Sequence, residues 1–269
     1  MSEVGEGNPD SGSLLRLLKN HVVAVDASIP SIGMPRAINE AFQSSRINIL
    51  PSYSEGSEEA LSTNPVLIVA THPHLLNDTF GIVGAIPKDR HDVSVTSHAM
   101  HMGLGKNITS HIIPIYGVDQ QVTNNMRERL RRSLLAGKTQ QLPQLDSARK
   151  NLESMGIAVS RLDEGGIVVI FPEGSGEEGA EWLSGIGEIV KKIENPETKV
   201  VYATTDGNEW RNRARVYSSK ARRLLGSTDL TVRFSQPHPI SEFKDIESRK
   251  EVTQILRAQY DEFNQRIKS

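Results

Sequence analysis

The chain has 269 residues, a formal net charge of -2 at pH 7 and no cysteine. The absence of cysteine excludes disulfides, cysteine-ligated zinc and a catalytic thiol. A hydrophobic content of 37% and a charged content of 24% are typical of a globular protein with a sizeable core. The near-neutral charge argues against a nucleic-acid partner.

The N-terminal part of the chain is predicted to be a tail followed by a helical segment. Residues 1–13 are small and acidic and lack the regions of a signal peptide, so a disordered tail is expected. The segment 14–50 begins with apolar residues spaced like one face of a helix that packs on the rest of the chain. No apolar run approaches the roughly 20 residues that cross a bilayer. The expected location is the cytoplasm, either free or peripherally bound at the inner face of the membrane.

Strands and helices are predicted to alternate through the rest of the chain. Residues 51–65, rich in Ser, Glu and Pro, are interpreted as a linker or surface loop. Strands are predicted within 66–71, 92–98, 110–118, 165–174, 199–205 and 230–237, and helices within 78–87, 124–155 and 185–194. This alternation predicts a layered α/β domain over 51–245, followed by a C-terminal helix over 246–269.

The stretch THPHLLND, 71–78, places two histidines and an aspartate directly after an apolar strand. A carboxylate at Asp78, near the start of the next helix, can fold back onto a ring nitrogen of His72. That contact would fix one tautomer and stabilise the imidazolium that forms when the other nitrogen accepts a proton. A simpler interpretation is that Asn77 or Asp78 caps the helix.

The same histidines also fit a metal site. A His-x-His pair after a strand, here His72 and His74, is a known ligand arrangement that needs further ligands from elsewhere in the chain. His98 and His101 are the candidates for those ligands. The residues of this stretch alone leave the proton-transfer, helix-cap and metal interpretations open.

A second stretch, GGIVVIFPEGSGEEGAEWLSGIG at 165–187, runs from a strand into a Pro-Glu-Gly turn. Turns at the carboxyl ends of strands are where α/β sheets form ligand crevices. Together the two stretches resemble the glycerol-3-phosphate and 1-acylglycerol-3-phosphate (lysophosphatidate) acyltransferase superfamily. Its members carry a His-(four or five residues)-Asp motif and a later FPEG(T/S) motif. HIIPIYG, KVVYATTDG and LTVRFSQPHPI also match in order, so the resemblance covers roughly residues 60–245.

The resemblance implies a mixed β-sheet flanked by helices and an enzyme of phospholipid biosynthesis. It implies that His72 acts as general base and that Asp78 orients it. The acyl donor would be a thioester of acyl carrier protein or coenzyme A, used as co-substrate without a further cofactor or a metal. The acceptor would be a glycerol phosphate or lysophospholipid, with its site shaped by Glu173, Gly174 and Ser175. The alternative for Glu173 is a solvated glutamate in a tight turn.

The chain departs from the family at the arginines that are thought to hold the acceptor phosphate. Gly176 stands at one of these positions, and YGVDQQ, 116–121, contains none. Lys106 and Arg213 are the candidates that would bind the phosphate instead, because cationic side chains suit it. A lipid-binding protein without turnover, or a hydrolase that uses His72 and His74, therefore remains an alternative.

Two basic clusters are candidate docking surfaces. One covers 127–132 and the other 211–223. Acyl carrier protein and anionic membranes are acidic partners that such clusters attract. A solvated helical face is the competing interpretation of both clusters.

Overall fold

In the computed structural model of the chain, the described residues are 22–71, 76–116, 144–173, 181–207 and 226–268. Helix α1 covers 22–32. The other helices are α2 (Met34–Ser44), α3 (Ser57–Thr63), α4 (Leu76–Ala85), α5 (Lys106–Ser110), α6 (Gln144–Asp163), α7 (Gly185–Lys192) and α8 (Arg249–Lys268). Short 3-10 helices cover Ala99–Gly103 and Ile240–Phe243. The strands are β1 (Ile47–Tyr53), β2 (Val66–Ala70), β3 (Val93–His98), β4 (Ile112–Ile115), β5 (Ile167–Ile170), β6 (Lys199–Asp206), β7 (Thr228–Phe234) and β8 (His238–Pro239).

The described strands form one mixed sheet in the order β1-β7-β6-β2-β5-β3-β4, with β8 also pairing with β6. Strands β6, β2, β5, β3 and β4 are mutually parallel. Strand β7 runs antiparallel to β6, and β1 runs parallel to β7. The five parallel strands therefore end at one edge, which is called the carboxyl edge below. The predicted mixed sheet flanked by helices is confirmed.

Two hydrophobic cores lie on opposite faces of the sheet. Along β2, the side chains of Val66, Ile68 and Ala70 join one core, whereas Leu67 and Val69 join the other. The same alternation holds along β5 and β6, because successive strand residues point to opposite faces. Helices α1 to α5 contribute to the first core and α6 to α8 to the second. The result is a three-layer arrangement of helices, sheet and helices.

Helix α1, the described part of the helix predicted from Leu14, packs against the first core. Ile29 is buried in the first core, and Val22, Val25 and Ile32 pack against it. Among the described helices, none is long and apolar enough to cross a membrane.

The prediction of a linker or loop over 51–65 is wrong. Strand β1 begins at Ile47 and α3 covers Ser57–Thr63, so the predicted boundary between residues 50 and 51 falls inside a strand. Strand β1 is at the edge of the sheet and alternates only in its first residues, which weakens its sequence signal. Pro51 is tolerated there because an edge strand leaves backbone donors unpaired on one side.

Helices α7 and α8 approach closely at Gly187. A Cβ atom at this position would overlap the carbonyl oxygen of Arg249 and lie 2.7 Å from Thr253 Oγ1. We expect Gly187→Ala to reduce the free energy of unfolding by about 1–3 kcal/mol, because α8 has to move away from α7. Urea denaturation measures the change.

Gly156 provides the matched control for that substitution. It lies in helix α6, where an added Cβ would meet no atom within 4 Å. Gly156→Ala is expected to raise stability by about 0.5–1 kcal/mol, because alanine favours the helix. If Gly187→Ala also raised the free energy of unfolding, the contact between α7 and α8 would be less tight than described.

Candidate active site

Three segments leave the sheet side by side at the carboxyl edge. Strand β2 pairs in register with β5 (Val69 with Ile170) and with β6 (Ala70 with Ala203). Thr71 after β2 and Phe171 after β5 therefore lie next to each other and next to the end of β6. Sheet topology thus brings together the described ends of the two stretches, Thr71 and Phe171, although about 100 residues separate them.

Asp78 is completely buried, with 0% of its surface exposed. It lies in the first turn of α4, and its Oδ1 accepts a hydrogen bond of 2.7 Å from Thr205 Oγ1 on β6. A buried carboxylate is costly unless it has polar partners, and the N-terminal turn of a helix favours negative charge. Helix α4 begins at Leu76, so neither Asn77 nor Asp78 is the residue before the helix that a cap requires. The helix-cap interpretation is therefore wrong.

Glu173 is also buried, with 8% of its surface exposed. It follows the end of β5, next to β2 in the sheet. Glu173 lies in a turn, as the alternative expected, but it is buried and not solvated. Both Asp78 and Glu173 lie at the carboxyl edge, where burial strengthens their effect on neighbouring groups.

Tyr260 is a buried residue at the same edge that the sequence did not indicate. Its hydroxyl shares a hydrogen bond of 2.7 Å with Thr71 Oγ1, and 3% of its surface is exposed. Burial is the main cause of a raised pKa at Tyr260, and hydrogen bonds with Thr71 and Thr204 oppose the rise. The negative charge of Glu173 raises the pKa further. The phenol therefore stays neutral near pH 7 and lies within electrostatic reach of Glu173.

Two consecutive threonines at the end of β6 connect the two helical layers. Successive strand residues point to opposite faces. Thr205 donates to Asp78 of α4, in the first layer, and Thr204 lowers the pKa of Tyr260 of α8, in the second. The ATT sequence at a strand's carboxyl end, 203–205, was the available signal for these residues.

Several predicted site residues lie outside the described residues. These are His72, His74, Gly174, Ser175 and Arg213, together with the basic clusters 127–132 and 211–223. Their roles stay predictions.

Lys106, predicted to bind the acceptor phosphate, is exposed at the first residue of α5. Asp26 of α1 binds the neighbouring backbone, accepting a hydrogen bond of 2.7 Å from the Ile108 amide. Asn107 Nδ2 also donates to the Asp26 carbonyl at 2.8 Å. These contacts fix the start of α5 and leave the Lys106 side chain facing solvent.

His98 and His101, the additional candidate metal ligands, lie at the end of β3 with ring centroids 6.5 Å apart. His101 is buried and its Nδ1 shares a hydrogen bond of 2.7 Å with Ser97 Oγ, whereas His98 is exposed. Within the part of the chain that the structure describes, no three His, Cys, Asp or Glu side chains form a group that could hold a metal ion.

No protein-family model matches the chain, and no curated protein does. Among solved structures, the chain is similar to the crystal structure of the 1-acyl-sn-glycerophosphate (LPA) acyltransferase PlsC from Thermotoga maritima. The sequence identity is 13%, the TM-score is 0.46, and the match covers 96% of this chain and 84% of that chain. A likeness of this size does not identify an activity, so function has to be argued from the chain's own residues.

Proposed function

We propose that this chain is an acyltransferase that moves a fatty acyl group from an acyl thioester to a hydroxyl of a glycerol phosphate or lysophospholipid-type acceptor. One observation carries the proposal. Asp78, six positions after His72, is fully buried at the carboxyl edge and hydrogen-bonded by Thr205. A carboxylate held in this way suits the task of orienting a catalytic histidine.

His72 is the general base of the proposed reaction. It takes the proton from the acceptor hydroxyl while the oxygen forms a bond to the thioester carbonyl carbon. The carbon–sulfur bond then breaks, and the imidazolium returns its proton to the leaving thiolate. The negative charge of Asp78 stabilises the imidazolium between these two steps. Transfer is direct, from donor to acceptor, without an acyl-enzyme intermediate.

The proposed donor is acyl coenzyme A or acyl carrier protein, and the proposed acceptor side is shaped by Glu173, Gly174 and Ser175. Because the arginines typical of the family are absent, Lys106 and Arg213 are proposed to contact the acceptor phosphate. The basic clusters 127–132 and 211–223 are proposed to dock the protein peripherally on an anionic membrane or on acyl carrier protein.

Single-turnover assays with a panel of acyl donors and acceptors test the proposal. We expect transfer from at least one thioester to a glycerol phosphate or lysophospholipid hydroxyl, and transfer reduced by about 10²–10⁴-fold in His72→Ala. Lipid binding without any transfer would contradict the proposal and favour a lipid-binding protein without turnover. Transfer or ester hydrolysis that disappears with a chelator and returns with a divalent metal would favour the metal-dependent alternative.

A further inference from the structure

The hydroxyl of Tyr260 is the point at which three segments of the carboxyl edge meet. It shares a hydrogen bond of 2.7 Å with Thr71, the residue that follows β2 and precedes His72 in the chain. Thr204 on β6 lowers the pKa of this phenol and the charge of Glu173 after β5 raises it, so both residues lie near the hydroxyl. One side chain from the C-terminal helix α8 therefore contacts or influences each segment of the candidate site.

The aromatic ring holds this hydroxyl in place. Its centroid lies 5.5 Å from that of Trp182 and 6.2 Å from that of Tyr202. Aromatic pairs at these separations are mutually stabilising, and a buried phenol normally finds a polar partner. Packing of α8 therefore fixes the position of the Tyr260 hydroxyl relative to β2.

The hydrogen bond between Tyr260 and Thr71 also affects His72, the next residue in the chain. Thr71 is joined to His72 by one peptide unit, which is planar, so the position of Thr71 restricts where the imidazole can project. Catalytic groups need to be held within about 0.5 Å of their productive geometry, and surrounding residues supply that precision.

We infer that Tyr260 is a positioning residue of the candidate site, whose hydroxyl holds Thr71 and thereby the peptide that presents His72. The expected effect on acyl transfer rests on the proposed function, whereas the expected effect on the position of His72 does not. On this inference, the C-terminal helix α8 is part of the candidate site.

Tyr202 provides a matched control. Tyr202 lies on β6 and is buried in the same core as Tyr260. Its hydroxyl donates a hydrogen bond of 2.7 Å to Gln259 Oε1 on α8, the helix that carries Tyr260. Tyr202→Phe and Tyr260→Phe each delete one buried, hydrogen-bonded phenol oxygen, so the two variants are expected to lose a similar amount of stability. Only Tyr260→Phe removes a contact with the residue before His72.

The kinetic arm measures acyl transfer in both variants. We expect Tyr260→Phe to lower kcat by roughly 10- to 100-fold with little change in KM, because His72 is displaced but the substrate sites are intact. We expect Tyr202→Phe to remain close to the parent chain. Equal losses in the two variants would overturn the inference, because they would indicate a role in stability alone.

Substitutions of Thr71 test the same hydrogen bond through its second residue. Thr71→Val removes the hydroxyl, whereas Thr71→Ser keeps it and is expected to retain activity. If the Thr71–Tyr260 hydrogen bond is responsible, the double variant Thr71→Val/Tyr260→Phe loses no more activity than the more impaired of the two single variants. Additive losses in log kcat would overturn the inference. Thr71→Val also serves as the test if Tyr260→Phe does not fold.

A readout that does not require activity separates this inference from the proposed function. The ring NMR signal of His72, assigned by its disappearance in His72→Gln, should shift in Tyr260→Phe and in Thr71→Val but not in Tyr202→Phe. An unchanged signal in the first two variants would overturn the positioning role. If the parent chain transfers no acyl group, the proposed function fails while this arm still decides the inference.

Discussion

The His72→Ala variant is expected to lose acyl transfer by about 10²–10⁴-fold, which is the usual contribution of a general base. The acceptor hydroxyl is a weak nucleophile at neutral pH, and alanine has no group that can take its proton. Binding of the donor should persist, so the loss is expected in kcat rather than KM. Steady-state assays with the best donor and acceptor pair measure both constants.

His238 is the control histidine for this prediction. It lies on β8, which pairs with the first residues of β6, and therefore at the edge of the sheet opposite the candidate site. Its Nδ1 contacts Glu242 Oε2 at 3.2 Å. His238→Ala removes that contact and is expected to keep near-parental transfer. The mechanism would be refuted if His72→Ala retained the activity of the parent chain in a folded protein.

The Asp78→Asn variant is expected to reduce kcat by on the order of 10²–10⁴-fold, since the neutral amide cannot stabilise an imidazolium as a carboxylate does. Asparagine nearly preserves the shape of the side chain, and its carbonyl oxygen can still accept the hydrogen bond from Thr205. A large kinetic loss with a small change in the urea midpoint is the expected result. Parental activity in Asp78→Asn would indicate that the buried carboxylate has only a structural role.

Thr205→Val provides the graded comparison for Asp78. It deletes the hydroxyl that donates to Asp78 Oδ1 at 2.7 Å but leaves the carboxylate charge in place. We therefore expect a smaller loss of kcat than in Asp78→Asn, together with a cost of about 1–3 kcal/mol for the weakened buried carboxylate. The ranking of the two variants separates the contribution of the charge from that of its orientation.

Most secondary-structure elements follow from local patterns in the sequence. PVLIVA and GGIVVIF are apolar runs of strand length, and they form β2 and β5 at the centre of the sheet. Pro114 in SHIIPIYGV, 110–118, indicates an edge strand or a bulge, and β4 lies at the end of the strand order. Local patterns suffice here because a strand or helix with a buried face has its own periodicity.

Strand β1 was missed because its stability depends on a distant partner. Asn48 Nδ2 donates a hydrogen bond of 2.9 Å to Asp229 Oδ1, 181 positions away. The strand contains a proline and exposes several residues, so little in its own sequence distinguishes it from a loop. Pairing with β7 supplies the stabilisation that a local pattern cannot show.

The sequence by itself determined the α/β class, and the resemblance of its motifs proposed His72, Asp78 and Glu173 as site residues. Tertiary structure alone decided that Asp78 and Glu173 are buried at one edge of the sheet. It also decided their neighbours: Thr205 is 127 positions from Asp78, and Tyr260 is 189 positions from Thr71. The physical reason is that periodicity records which face of an element is buried, whereas strand order and helix packing determine which distant side chain occupies the adjacent space.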